Sequence, residues 1–210
     1  LKILVVDDHA MIRTGLKQLC ADVALWGGSA VVLEADTGAA ALALQKSERP
    51  QLTVLDLNMP GVSGLELLRQ LLAIDSNARI LVFSMHGEPV YAAKALEIGA
   101  RGYLSKNAPP EELRAALLRV AAGKTYVESE IAQALAALPA EQRQQLSERD
   151  LEILRLLGEG RSFTEIAGLL GLGYKTVANT ATLIKAKLGV ARTADLIRLS
   201  VEMGIGRHVP

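Results

Sequence analysis

Apolar residues in the first 120 positions fall into five short, nearly continuous runs, at 3–6, 30–33, 52–55, 80–83 and 102–104. Continuous runs of this length, rather than strict alternation, suit strands of a parallel sheet covered on both faces. Between them the apolar spacing turns helical, over about 10–21, 38–46, 63–72, 89–98 and 110–121. Pro89 and Pro110 fall in first turns, where a missing N–H leaves no helical bond unmade. Five strand-helix repeats joined by right-handed crossovers predict an α/β domain: a doubly wound, five-stranded parallel sheet with helices on both sides.

Beyond residue 121 the pattern changes. Residues 123–127 break the fifth helix, 130–138 read as a short Ala-rich helix ended by Pro139, and 139–145 are polar without an apolar face. Residues 122–145 are therefore expected to link two domains and to permit motion between them. The remainder, 146–210, shows only helical signals. Ser147 caps a helix with Asp150 three positions on, and Gly158-Glu159-Gly160 stops it. Ser162 caps a second helix, Gly171-Leu172-Gly173 forms a turn, and 174–188 make a third helix ended by Gly189. A fourth covers 193–203. Two helices joined by a tight glycine turn, the second basic, predict a small all-α helix-turn-helix domain whose second helix enters the major groove of DNA.

Composition adds limits. At 210 residues the chain can bury two modest cores, and its formal net charge is zero. No apolar run approaches the roughly 20 residues that span a bilayer, and the chain opens on a strand pattern rather than a signal segment, so a cytoplasmic protein without a membrane partner is expected. Leu1 is not a natural start residue, so a few residues are expected to precede it. Cys20 is the sole cysteine, which excludes an internal disulfide and a cysteine metal site and suits core filling. The last third is mildly basic, and Lys175, Lys185 and Lys187 lie between Tyr174 and Val190 with no acid among them. That favours a polyanion partner.

The candidate chemistry sits at strand ends. Asp7-Asp8 follow the first apolar run, and Asp56 follows the third, in Val54-Leu55-Asp56-Leu57-Asn58-Met59-Pro60-Gly61, where a Pro-Gly turn comes at once. In open α/β sheets such ends form one crevice. Three carboxylates there resist joint ionisation unless a cation joins them. Mg2+, which prefers oxygen ligands and is commonly shared between carboxylates and a phosphate, fits that need. The cluster reads as a metal-assisted phosphoryl site with Asp56 as carboxylate nucleophile. Ser84 ends the fourth run and Lys106 follows the fifth, adding a hydroxyl and an ammonium to the same edge. Alone, an aspartate after a strand is ordinarily a turn residue and a lysine a surface residue; the joint placement is what carries weight. His9 reads as loop or pocket-rim structure, and neither His86, His208 nor Trp26 receives a role.

Residues 1–121 resemble the receiver domain of two-component response regulators. The resemblance rests on Asp7-Asp8, on Asp56 in LDLNMPG, on Ser84 where that family has Ser or Thr, on Tyr103 at its switch-aromatic position, and on Lys106 shortly before a Pro. It implies a flavodoxin-like fold and transfer of phosphate to Asp56 from a histidine kinase. It further implies Mg2+ held by Asp8, Asp56 and the Asn58 carbonyl, with Asp7 acting through water. Lys106 would pair with the phosphoryl oxygens and Ser84 would donate to one. Tyr103 would follow Ser84 inward, although plain packing accounts for a tyrosine at that position equally well.

Residues 146–203 are similar to the LuxR-type DNA-binding domain of the NarL/FixJ subfamily, through Leu146-Ser147-Glu148-Arg149-Asp150, Glu165-Ile166-Ala167, Lys175-Thr176-Val177 and Lys187-Leu188-Gly189-Val190. This sequence departs from the subfamily where a basic residue and a His are usual, having Ala178 and Thr180. Ala178, Asn179 and Thr182 are then the groove-facing candidates, Asn179 for adenine and the other two for a thymine methyl. Asn179 contacting only the DNA backbone is the alternative. Lys175, Thr176, Lys185 and Lys187 suit phosphates. The expected protein is a phosphorylation-controlled transcriptional regulator that binds double-stranded DNA, forming a homodimer when phosphorylated. The dimer surface would be the last helix, through Leu196, Leu199 or Met203, or the receiver's fourth and fifth helices. Two alternatives are a regulator acting through protein contacts without DNA, and a metal-dependent aspartyl-phosphate hydrolase. The second lacks the usual acid two residues past the nucleophile, where Asn58 stands.

Overall fold

The computed structural model describes residues 1–21, 26–59, 63–85, 89–137 and 146–202. The Pro60-Gly61 turn, His86, the 139–145 stretch, Met203 and His208 lie outside the described residues.

The first domain alternates β1 (Lys2–Val6), α1 (Ala10–Ala21), β2 (Val31–Ala35), α2 (Gly38–Glu48), β3 (Leu52–Leu55), α3 (Gly64–Ile74), β4 (Arg79–Ser84), α4 (Pro89–Ile98), β5 (Gly102–Ser105) and α5 (Pro110–Ala121). With β6 (Tyr126–Val127), the strands pair in parallel in the order β2-β1-β3-β4-β5-β6. The doubly wound parallel sheet is as the apolar runs predict, with one difference. A sixth strand, β6 (Tyr126–Val127), pairs with β5 where the sequence pattern shows only a break after α5. Two residues are too short to display a period, so hydrophobic spacing could not reveal it.

Alternation along the central strands divides the core. Ile3 and Val5 of β1, Leu52 and Val54 of β3, and Leu81 and Phe83 of β4 face α1 and α5 through Leu16, Cys20, Leu113 and Leu117. Leu4, Val6, Leu55, Ile80 and Val82 face the other way, onto Leu65, Leu67, Leu68 and Leu71 of α3 and Val90, Ala92 and Ala95 of α4. Burial raises the Cys20 thiol to about 12, which holds it neutral as a core side chain. Trp26 gains a role the sequence withheld: its Nε1–H donates to the Cys20 carbonyl at 2.7 Å, satisfying the end of α1. Gly64 opens α3 because a Cβ there would lie 2.3 Å from the Leu57 Cα and carbonyl oxygen, so the helix approaches the strand that carries Asp56 at backbone distance.

After β6 comes α6 (Ser129–Ala137), whose Ile131 is buried in the main core. The C-terminal helices are α7 (Glu148–Gly158), α8 (Phe163–Leu170), α9 (Tyr174–Leu188) and α10 (Thr193–Glu202). Ser147 with Asp150 and Ser162 with Glu165 form reciprocal capping boxes that start α7 and α8. Gly171, at φ 64°, ends α8 in the left-handed conformation that glycine adopts without steric cost, and so makes the tight turn toward α9. Leu151, Leu154 and Leu157 of α7, Ile166 of α8, Val177 and Ile184 of α9, and Leu196 of α10 close a helical core.

Candidate functional site: an acidic crevice and an outward-facing helix

The sheet's hydrogen bonds continue one residue past the strand ends and so fix the acids. Asp7 N donates to the Ala35 carbonyl at 3.1 Å and Asp56 N to that of Val6 at 2.9 Å, placing both carboxylates on neighbouring strands at one edge. Lys106 N donates to the Ser84 carbonyl at 2.8 Å, which brings the fifth strand's lysine to the same edge. Its Nζ lies 2.6 Å from Asp7 Oδ2 and 2.7 Å from Asp56 Oδ2, with only 4% of the side chain exposed. Asp7, Asp56 and Ser84 are buried as well, and Asp8 is partly exposed.

Electrostatics follow from this burial. Desolvation pushes the Asp56 carboxyl up; Lys106 and the Asn58 N–H, which donates to Asp56 Oδ1 at 3.0 Å, pull against it, and Asp7 adds to the rise. Burial alone would depress the Lys106 ammonium, but the carboxylates of Asp56 and Asp7 outweigh it and hold it above its ordinary value. Asp7 Oδ2 and Asp8 Oδ1 are buried, the first reached by the Lys106 ammonium and the second by His9 Nδ1. Ligand atoms of Asp7, Asp8, His9 and Asp56 lie within 4.8 Å of one another. Carboxylate oxygens at that spacing fit a hard cation.

The structure therefore brings Asp7, Asp8, Asp56, Ser84 and Lys106 together and sets Asn58 against Asp56. Tyr103 is wholly buried in the core, a placement that core packing explains. Two residues passed over by the sequence reading, Arg13 and Glu128, shape the crevice together with His9, which that reading assigned to loop or pocket-rim structure. Arg13 Nη1 donates to the Asp7 carbonyl at 2.8 Å. His9 N donates to Asp7 Oδ1 at 2.8 Å, and its Nδ1 lies 2.8 Å from Asp8 Oδ1. Glu128, just past β6, accepts from Ser105 N at 2.7 Å and so steadies the strand end that carries Lys106.

In the C-terminal domain α9 buries Val177, Ala181 and Ile184. The opposite face presents Lys175, Asn179, Thr182, Leu183 and Ala186, all exposed, while Ala178 and Lys185 are half-buried at its margins. Thr182 Oγ1 donates to the Ala178 carbonyl at 3.0 Å, and Lys187 Nζ is paired with Asp150 Oδ2. The two domains touch elsewhere: Tyr91 of α4 donates its hydroxyl to the Leu151 carbonyl at 3.0 Å, and Arg69 of α3 pairs with Glu148. Beside these contacts an open cleft of about 900 Å3 runs between Glu66, Arg69, Glu148 and Glu152.

A five-times-repeated β/α unit with acids and a lysine at one sheet edge, followed by a helix-turn-helix, defines a two-module signalling protein. Residues 3–118 match the family model for the response regulator receiver domain, and residues 144–200 match that of the luxR family of bacterial regulatory proteins. The chain belongs to the response regulators with a LuxR-type DNA-binding domain. It is 38% identical to the transcriptional activator protein ExaE of Pseudomonas putida over 98% of both chains. It is 32% identical to the response regulator UvrY of Escherichia coli K12, over 98% of this chain and 95% of that one. Among solved structures, a LuxR-family two-component response regulator from an Aurantimonas species is 37% identical, with TM-score 0.59 over 64% of this chain and 94% of that one. RcsB of Salmonella enterica serovar Typhimurium, bound to promoter rprA with phosphomimetic BeF3-, shares the fold at 23% identity and TM-score 0.73, over 94% of this chain and 96% of that one. Among the described residues no helix is long and apolar enough to cross a membrane.

Proposed function

We propose that this chain is a cytoplasmic transcriptional regulator that accepts phosphate on Asp56 from a histidine kinase. Its units would be a receiver over 1–121, a connecting segment over 122–145 and a DNA-binding domain over 146–210. The observation that carries the reading is the pairing of the buried Asp56 with Lys106 beside two acids whose clustered oxygens suit a cation. Mg2+ held by Asp8, Asp56 and the Asn58 carbonyl, with Asp7 through water, would supply charge neutralisation at the phosphoryl group.

The protein's own groups do the rest. Asp56 attacks the phosphorus, and its Oδ–P bond replaces the bond to the donor's leaving group. Lys106, already at 2.7 Å, remains as counter-charge for the phosphoryl oxygens. Ser84, at the end of β4, donates to one of them, and Tyr103 repacks behind it. Tyr91 lies in the helix that follows Ser84 and holds the Leu151 carbonyl, so a shift of α4 would loosen the contact between the domains. Asn58 stands where a hydrolase would carry its second acid, which favours a slowly turned-over phosphoryl group over hydrolytic catalysis.

DNA binding by α9 and dimerisation follow from the same reading. A single short helix with few cations binds weakly, and a two-fold pair reading two half-sites remedies that. Acetyl phosphate with Mg2+ is expected to shift the full chain from monomer to dimer in sedimentation and to tighten its binding to a pool of mixed-sequence duplexes. Unchanged mass and affinity after confirmed phosphorylation would contradict the switch.

A further inference from the structure

Leu183 is 60% exposed, on the same outward face of α9 as Asn179, Thr182 and Ala186. At about 100° per residue, Asn179 stands near the centre of that face, with Thr182 about 60° to one side and Leu183 about 40° to the other. Ala178 lies at the margin instead, and its partial burial agrees. The Thr182 hydroxyl hydrogen is committed to the Ala178 carbonyl, so outward it offers its methyl and an acceptor lone pair. Leu183 therefore adds the largest apolar surface to a helix face whose middle turns carry no charge.

The surroundings specify the partner. No acidic residue occurs anywhere between Tyr174 and Val190; Lys175 stands exposed in the first turn of α9 and Lys185, half-buried, at the margin of the face toward its other end. An apolar spot framed by cations, with an amide beside it, complements a groove framed by phosphates, where the thymine C5 methyl is the apolar group on offer. A protein surface would have no need of that cationic frame. We propose that Leu183 is a specificity-determining residue that packs on a thymine methyl in the major groove, next to the base contacted by Asn179. This rests on the DNA-binding reading above.

The test separates the two. The phosphorylated full chain is used to enrich duplexes from a random pool, and each thymine of the enriched sequence is replaced in turn by deoxyuridine, which removes only the C5 methyl. Wild type should lose affinity about fourfold at one or two positions, the effect of one methyl left uncovered. Leu183→Ala should abolish that loss at one of them while binding the deoxyuridine duplex as tightly as wild type does, and Leu183→Met should retain most of it. Equal weakening of both duplexes by Leu183→Ala, or an undiminished thymine preference, would overturn the assignment while leaving DNA binding intact. A pool that yields no enriched sequence would overturn the DNA-binding reading and this inference with it.

Discussion

Lys106→Ala will destabilise the receiver by about 3–5 kcal/mol at pH 7 without Mg2+, the cost of leaving buried charge unpaired. The reason is local. Lys106 Nζ is the cation that joins Asp7 and Asp56, both almost wholly buried, and its removal leaves two carboxylates facing each other. Two linked effects check the cause. The carboxyl of Asp56 is already raised in the folded state, so the folded chain binds its proton more tightly than the unfolded one does. Its contribution to stability consequently falls as pH rises above the ordinary carboxylate value of about 4 and through the raised one. Without Lys106 that rise grows, so the deficit should shrink steadily as pH is lowered toward 4. Lys106 itself has a folded value above its unfolded one; its contribution is complete below about 10.4 and is lost as pH rises through the folded value. Mg2+ should restore much of the variant's stability by taking over the charge. Urea midpoints across pH, with and without Mg2+, measure all three. A deficit independent of both pH and Mg2+ would mean that lost packing, not charge, is responsible.

Replacing Lys175 and Lys185 together by alanine should weaken duplex binding uniformly across sequences and reduce the log–log salt slope by about two, one per phosphate contact released. Lys175 is exposed at the first turn of α9 and Lys185 half-buried near its end, which suits two phosphates on either side of a groove. Lys187, also a phosphate candidate from the sequence, differs because it is paired with the buried Asp150. Its loss should act mainly through the anchoring of α9 on α7. Fluorescence anisotropy across a salt series separates these contributions. A sequence-selective loss in the double variant would instead assign the lysines to bases.

What could be read from the chain alone depended on the range of the interaction. Apolar runs and helical spacing announced the parallel sheet and the four C-terminal helices because burial recurs at a fixed period along each element. Asp7, Asp56, Ser84 and Lys106 were legible because each ends such a run, and parallel topology carries run ends to one edge. The pairing of Lys187 with Asp150, the tie from Glu128 to Ser105 and the bond from Tyr91 to Leu151 join residues far apart in sequence, and no periodicity encodes them. Leu183 was masked for another reason: beside Ile184 in an apolar-rich helix it reads as core, and only the register of Val177, Ala181 and Ile184 turns it outward.

The central claim is that Asp56 is the phosphate acceptor. Wild type and Asp56→Asn should be incubated with Mg2+ and radiolabelled acetyl phosphate, and the label scored for stoichiometry and for lability to base. The account predicts near one base-labile phosphate per wild-type chain and none on Asp56→Asn. Label that persists on Asp56→Asn, or a wild-type chain that takes none while correctly folded, would contradict it.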